Sequence, residues 1–160
     1  MTEYRKMLIY GYGNPGRQDD GLGPALISKL DPWLKENNYY HVITDSNYQL
    51  NIEDAAVVFD KNPVIFVDAT QNNVSSYRFG RLEPSSKTEF TMHAVSPAFV
   101  ISLCESIYSQ IPETYLLEIK GYEWKFLEEI TEQAANNLEQ AFEFIKDFII
   151  RRFQKDCKTK

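Results

Sequence analysis

Cysteine and histidine are scarce in this chain. Cys104 and Cys157 are the only cysteines, and His41 and His93 the only histidines, among 160 residues. No C-x-x-C pair occurs, which excludes a zinc knuckle and a thioredoxin-like redox motif. Basic charge is also short: the formal net charge is −6 and the pI about 5.0, so the chain lacks the basic face that phosphate backbones require. The one basic cluster, from Arg151 to Lys160, reads as a solvated, frayed end. Long apolar runs are missing as well. The stretch Met7-Leu-Ile-Tyr10 is too short for a signal-peptide core or a membrane span. These absences lead to the expectation of a soluble protein in a reducing, cytoplasmic setting, with neither nucleic acid nor membrane as partner.

What is present is an ordinary globular composition, with 43% hydrophobic residues, enough to bury a core without staples. A single α/β domain over residues 1–155 is expected, with a disordered tail over 156–160. Residues 7–10 read as a buried strand ending at Gly11. Leu22, Leu26, Leu30, Trp33 and Leu34 have helical spacing over 22–35, with Pro24 in the first turn. A second strand is predicted over 40–44, closing on Asp45, with His41 inside it in a structural role; a short helix follows from Asn51. Val64-Ile-Phe-Val67 is apolar throughout, as in a parallel strand covered on both faces, and ends at Asp68. Residues 77–82 alternate like an edge strand with one wet face. Ser96-Pro97 reads as an N-cap followed by a proline at the first helical position. A further strand covers 114–119, and a long helix opens near Thr131.

Strands alternating with helices predict a three-layer fold: a mostly parallel, twisted sheet with helices on both faces. Ligands of such sheets gather beyond the C-terminal ends of the strands. Asp20, Asp45, Asp68 and His93 all fall on that rim. Carboxylates with an imidazole suit zinc, nickel or iron in a partly open site, and such a metal can polarise a carbonyl or activate water. Each residue also has a plainer reading: Asp20 as a helix cap, Asp68 as a turn cap, His93 as a surface loop residue.

Residues 11–16, Gly-Tyr-Gly-Asn-Pro-Gly, match the G-x-G-x-x-G pattern of dinucleotide sites. Three features oppose that use. The helical pattern starts only after Arg17-Gln18-Asp19-Asp20-Gly21, so no helix N-terminus meets a pyrophosphate at the glycines. Asp19 and Asp20 would repel it. Pro15 removes an amide from the cradle.

The run Leu8-Ile-Tyr-Gly-Tyr-Gly-Asn-Pro-Gly-Arg-Gln-Asp-Asp-Gly-Leu-Gly-Pro24 resembles the opening signature of the hydrogenase maturation proteases: a strand, a GxGN turn, a spacer, then an acidic pair and a glycine. Val64-Ile-Phe-Val-Asp68, Met92-His93-Ala94 and Leu116-Leu-Glu-Ile-Lys-Gly-Tyr122 are similar to later segments of the family, in the same order. One segment departs. Where many members carry a DxGTxG-like stretch, this chain has Asp45-Ser-Asn-Tyr-Gln-Leu50, keeping the aspartate alone. That variant resembles the branch serving cytoplasmic, cofactor-linked hydrogenases.

The resemblance implies an endopeptidase that removes the C-terminal extension of a nickel-loaded large-subunit precursor of a nickel–iron hydrogenase. Asp20, Asp68 and His93 would recognise nickel in the precursor, and Asp20 or Asp45 would act as general base on water. The rival expectations are a non-proteolytic nickel-binding protein or metallochaperone on the same fold, an inactive homologue, and a nucleotide-binding oxidoreductase that uses the glycine loop.

Overall fold

The computed structural model describes residues 5–85 and 95–158, with side chains through residue 155. Five strands form one sheet: β1 (Met7–Tyr12), β2 (Val42–Asn47), β3 (Val64–Thr70), β4 (Tyr77–Arg81) and β5 (Thr114–Lys120). Their spatial order is β2-β1-β3-β5-β4. All neighbours are parallel except the edge strand β4, which runs antiparallel to β5. The helices are α1 (Leu22–Glu36), α2 (Asp54–Val58), α3 (Pro97–Tyr108) and α4 (Glu132–Lys158).

Strand alternation divides the core. Ile9, Ile65, Val67, Leu117 and Ile119 point to one face, where they bury the apolar stripes of α1 (Leu22, Leu26, Leu30) and α4 (Ala134, Ala141, Ile145). Leu8, Tyr10, Val64 and Phe66 point to the other and meet Val58 of α2 and Val100, Ile101 and Cys104 of α3. The α/β sandwich predicted from the alternating elements is therefore present, with α1 and α4 on one side and α2 and α3 on the other. Among the described residues no helix is long and apolar enough to cross a membrane.

The predicted N-cap holds: Ser96 Oγ accepts the amide of Phe99 at 3.1 Å, and Pro97 opens α3. Several boundaries differ from expectation. Strand β2 extends to Asn47, because its ladder with β1 runs on to the Tyr12–Asn47 pair, so Asp45 lies inside the strand. Likewise β3 continues past Asp68 to Thr70, paired with β5 to its end. His41 precedes β2 at the opposite rim, where its carbonyl accepts the Met7 amide at 2.9 Å and its exposed ring stacks on Phe153.

The basic C-terminal stretch is not frayed from Arg151, and the tail expected to be disordered from residue 156 is helical through Lys158. Arg152 makes a bidentate pair with Glu113 (2.9 and 2.6 Å), and Phe153 packs on Tyr39. These partners lie far away in sequence.

Candidate functional site

At the carboxyl rim the glycine loop leaves β1 and turns back through a short 3-10 segment, Gln18–Gly21, before α1 begins. Two glycines make this approach possible. A Cβ on Gly23 would lie 2.5 Å from the Tyr12 carbonyl oxygen and 2.6 Å from that of Val67, so α1 starts directly against the ends of β1 and β3. Gly13 adopts φ +138°, and a Cβ there would lie 2.0 Å from the Asp20 carbonyl oxygen. Asp20 is thus pressed against the loop, and its Oδ2 accepts the Asn14 amide at 2.9 Å. It does not cap α1, which has no side-chain cap.

The same closure speaks against a phosphate cradle. The Gly13 amide is donated to Asn47 O and the Gly16 amide to Asn14 Oδ1, while those of Arg17 and Asp20 stay within the loop. The amides a pyrophosphate would recruit are already used inside the protein.

The two acids of the pair have different roles. Asp19 is fully buried and accepts four hydrogen bonds. Tyr122 and Glu123 donate their amides to Oδ2 at 2.7 and 3.1 Å, and Thr131 donates its amide to Oδ1 at 2.8 Å and its hydroxyl to Oδ2 at 2.9 Å. Asp19 therefore fastens the segment between β5 and α4 onto the glycine loop. Asp20, the next residue, makes none of these bonds and lies close enough to the end of β3 for its charge to act there.

There it meets Asp68. Burial raises the Asp68 carboxyl to about 7. Hydrogen bonds from the Tyr12 phenol and the Ala69 amide oppose that rise, and the nearby charges of Asp20 and Glu118 add to it. The Ala69 amide lies 2.8 Å from Oδ1. Asp68 does not cap the following turn; Thr70 Oγ1 accepts the Asn72 amide instead, at 3.1 Å. Burial, reinforced by Asp68, keeps the Tyr12 phenol protonated far above its ordinary range. Its ring stands edge-on to Phe66, 6.5 Å between centroids.

Strand register explains why these groups meet. Tyr12 shares a face with Tyr10, Asp68 with Phe66, and Glu118 stands directly beside Asp68 on β5. Glu118 is in turn held by Arg78 of β4, whose Nε lies 2.7 Å away. Sequence reasoning did not single out Tyr12 or Glu118. Their signal was available in the alternation of β1 and β5, which places both on the face and at the end occupied by Asp68.

Asp45 does not join this group. It is exposed and pairs with Tyr10, one step back from the rim; its carboxylate accepts its neighbour's amide, from Ser46, at 2.8 Å. It is not among the charges that act on Asp68. Beside it, a groove of about 290 Å³ runs between the glycine loop and the end of β2, lined by Gly13, Pro15, Pro24, Ser46, Asn47 and Tyr48. His93 lies outside the described residues. Of the predicted set, Asp20 and Asp68 are brought together; among the described residues, no three histidine, cysteine or acidic side chains are grouped to hold a metal ion.

The chemistry on this rim is a pair of hard oxygen donors. One carboxyl titrates near neutrality, so it can carry or release a proton there, and an adjacent cation would hold it ionised.

Solved nickel–iron hydrogenase maturation proteases share this α/β fold. The maturation protease HycI of Thermococcus kodakarensis superposes with a TM-score of 0.72 at 20% identity, over 92% of this chain and 94% of that one. The Escherichia coli hydrogenase maturating endopeptidase HybD gives 0.70 at 16% identity, over 92% and 93%. A hydrogenase 2 maturation peptidase from a Thaumarchaeota archaeon gives 0.64 at 20% identity, over 91% and 98%. No protein-family model matches the sequence, and no curated protein matches it.

Proposed function

We propose that this protein is an endopeptidase that removes the C-terminal extension from the nickel-loaded large-subunit precursor of a nickel–iron hydrogenase, in the cytoplasm. The observation that carries the proposal is the convergence of Asp20 and Asp68 at the carboxyl rim, on a fold otherwise found in proteases of that kind over nearly its whole length.

In this reading nickel arrives with the substrate. Asp20 and Asp68 supply oxygen ligands to it and His93 an imidazole nitrogen, a donor set suited to nickel. Nickel's charge favours the ionised form of Asp68, whose carboxyl is raised to about 7, chiefly by burial. Precursor-bound nickel is thereby distinguished from a metal-free precursor: without it, two neighbouring, partly buried acids repel each other, which favours protonated Asp68. The metal also polarises the scissile carbonyl. We assign the role of general base on water to Asp20, which lies beside Asp68. Asp45, the other candidate, is exposed and stands one step behind the rim.

The test is cleavage of purified nickel-loaded precursor, read by mass spectrometry, with the wild type and with Asp20→Asn, Asp68→Asn and His93→Ala. The wild type should release the extension, and each variant should fold but leave the precursor intact. An uncut precursor that nonetheless binds the wild type would favour a non-proteolytic nickel-binding protein.

A further inference from the structure

The segment 122–131, between β5 and α4, has no regular secondary structure, yet it is firmly held. Besides the four bonds to Asp19, the Lys125 amide donates to Gln18 Oε1 at 3.1 Å and the Leu127 amide to Gly16 O at 2.9 Å. Both sides of this clamp contain a residue in the left-handed region that is not glycine: Gln18 at φ +52° and Leu127 at φ +59°. For a leucine this conformation is a true outlier, because its Cβ crowds the following carbonyl and no side-chain polar group compensates. Such strain persists only where the surroundings over-determine it, and it concentrates at functional sites and ligand clamps.

The strained backbone holds its side chain in water. Leu127 is 93% exposed and its neighbour Phe126 is 74% exposed. Glu128 and Glu129, which follow directly, are exposed too. The result is a rigid apolar tip, with the Arg17 guanidinium over the Phe126 ring at 5.8 Å and Lys125 on one side, Glu128 and Glu129 on the other, tied through Asp19 to the stretch that carries Asp20. A complementary surface has an apolar centre that takes both side chains.

We infer that Phe126 and Leu127 are specificity-determining residues that engage an apolar segment of the protein substrate, held at a fixed position relative to Asp20 by the Asp19 clamp. The inference rests on the proposed function and names the part of the chain that recognises the precursor.

The informative variant is Leu127→Gly. Glycine adopts this backbone without strain, so the melting temperature should hold or rise by about 2–4 °C. The same change should raise KM for the nickel-loaded precursor by about 10-fold or more, as expected for losing one buried leucine from an interface, with kcat nearly unchanged. Phe126→Ala should raise KM by a similar factor, and Leu127→Met should retain wild-type KM. Direct calorimetric binding of the precursor is measured alongside cleavage. Wild-type binding that both Leu127→Gly and Phe126→Ala weaken supports the inference even if no peptide bond is cut. Wild-type cleavage with KM unmoved by both, or a loss confined to kcat, overturns it and leaves the proposed function standing. A wild type that neither binds nor cuts the precursor overturns both.

Discussion

The glycine-loop clamp and the end of β3 each bury a carboxylate on the same rim, and they treat it in opposite ways. Asp19 is surrounded by donors, two amides from β5's exit and the amide and hydroxyl of Thr131. Asp68 has the Ala69 amide and the Tyr12 phenol, with two further carboxylates close by. A buried charge is tolerable when hydrogen bonds replace its water, and costly when they do not. The first arrangement makes a fastening. The second leaves a carboxyl at about 7, poised between two protonation states and ready for a cation. Two acids of one sheet edge thus differ in role because of the donors around them, and burial alone does not separate them.

That contrast can be broken most forcefully at the clamp. Asp19→Ala would strand three amides and a hydroxyl in a buried place. The expected loss is about 3 kcal/mol or more of folding stability, measured by urea denaturation, with faster amide exchange across 122–131. A loss under about 1 kcal/mol would mean that Asp19 is not the fastening.

Glu113 extends the comparison to a second donor-rich carboxylate. Arg152 and Tyr115 hold it at about 2, below its ordinary 4.5. Its folded-state value is depressed, so the stability it contributes is complete above about 4.5 and disappears as pH falls toward 2. Glu113→Gln should cost about 1–2 kcal/mol at neutral pH, a figure discounted for the group's partial exposure. The gap to wild type should close between pH 4.5 and 2.

Asp68 should show the reverse. Its folded-state value is raised from 3.8 to about 7, so the folded protein holds a proton that the unfolded chain has already lost. Wild-type stability therefore declines as pH rises through that window, and the decline ends above about 7. In metal-free protein Asp68→Asn should be close to wild type in stability near pH 4 and more stable by on the order of 3 kcal/mol at pH 7. Thermal melts across pH 4–8 read this directly, and a variant less stable than wild type at pH 7 would contradict it.

The smallest effect on stability belongs to Tyr12→Phe, which removes the phenol that favours ionised Asp68. Stability should change by only a few tenths of a kcal/mol at pH 5, where Asp68 is protonated. Precursor cleavage should nevertheless fall by about 10-fold to 100-fold, as for other partners that orient a metal-binding group.

Much of this architecture is legible in the sequence. Local signals suffice for the apolar run at Val64–Val67, the four-residue spacing of Leu22, Leu26 and Leu30, and the Ser96-Pro97 start of α3. What the sequence hides is set by partners far along the chain. Asp19 and Asp20 are chemically identical neighbours, and only contacts with residues 122–131 make one a fastening. The docked position of Arg152 depends on Glu113. The end of β2, and with it the placement of Asp45, depends on how far β1 continues beside it. Tyr12 passes for a spacer between two glycines until β3 brings Asp68 alongside.

The most direct test of the central claim compares one precursor in two states. Purified large-subunit precursor, nickel-loaded or nickel-free, is incubated with the wild-type protein, and the C-terminus is followed by intact-mass spectrometry. The account predicts release of the extension from the nickel-loaded precursor and none from the nickel-free one, with Asp68→Asn inactive on both. A nickel-loaded precursor left whole by the wild type, or cut equally well by Asp68→Asn, would contradict it.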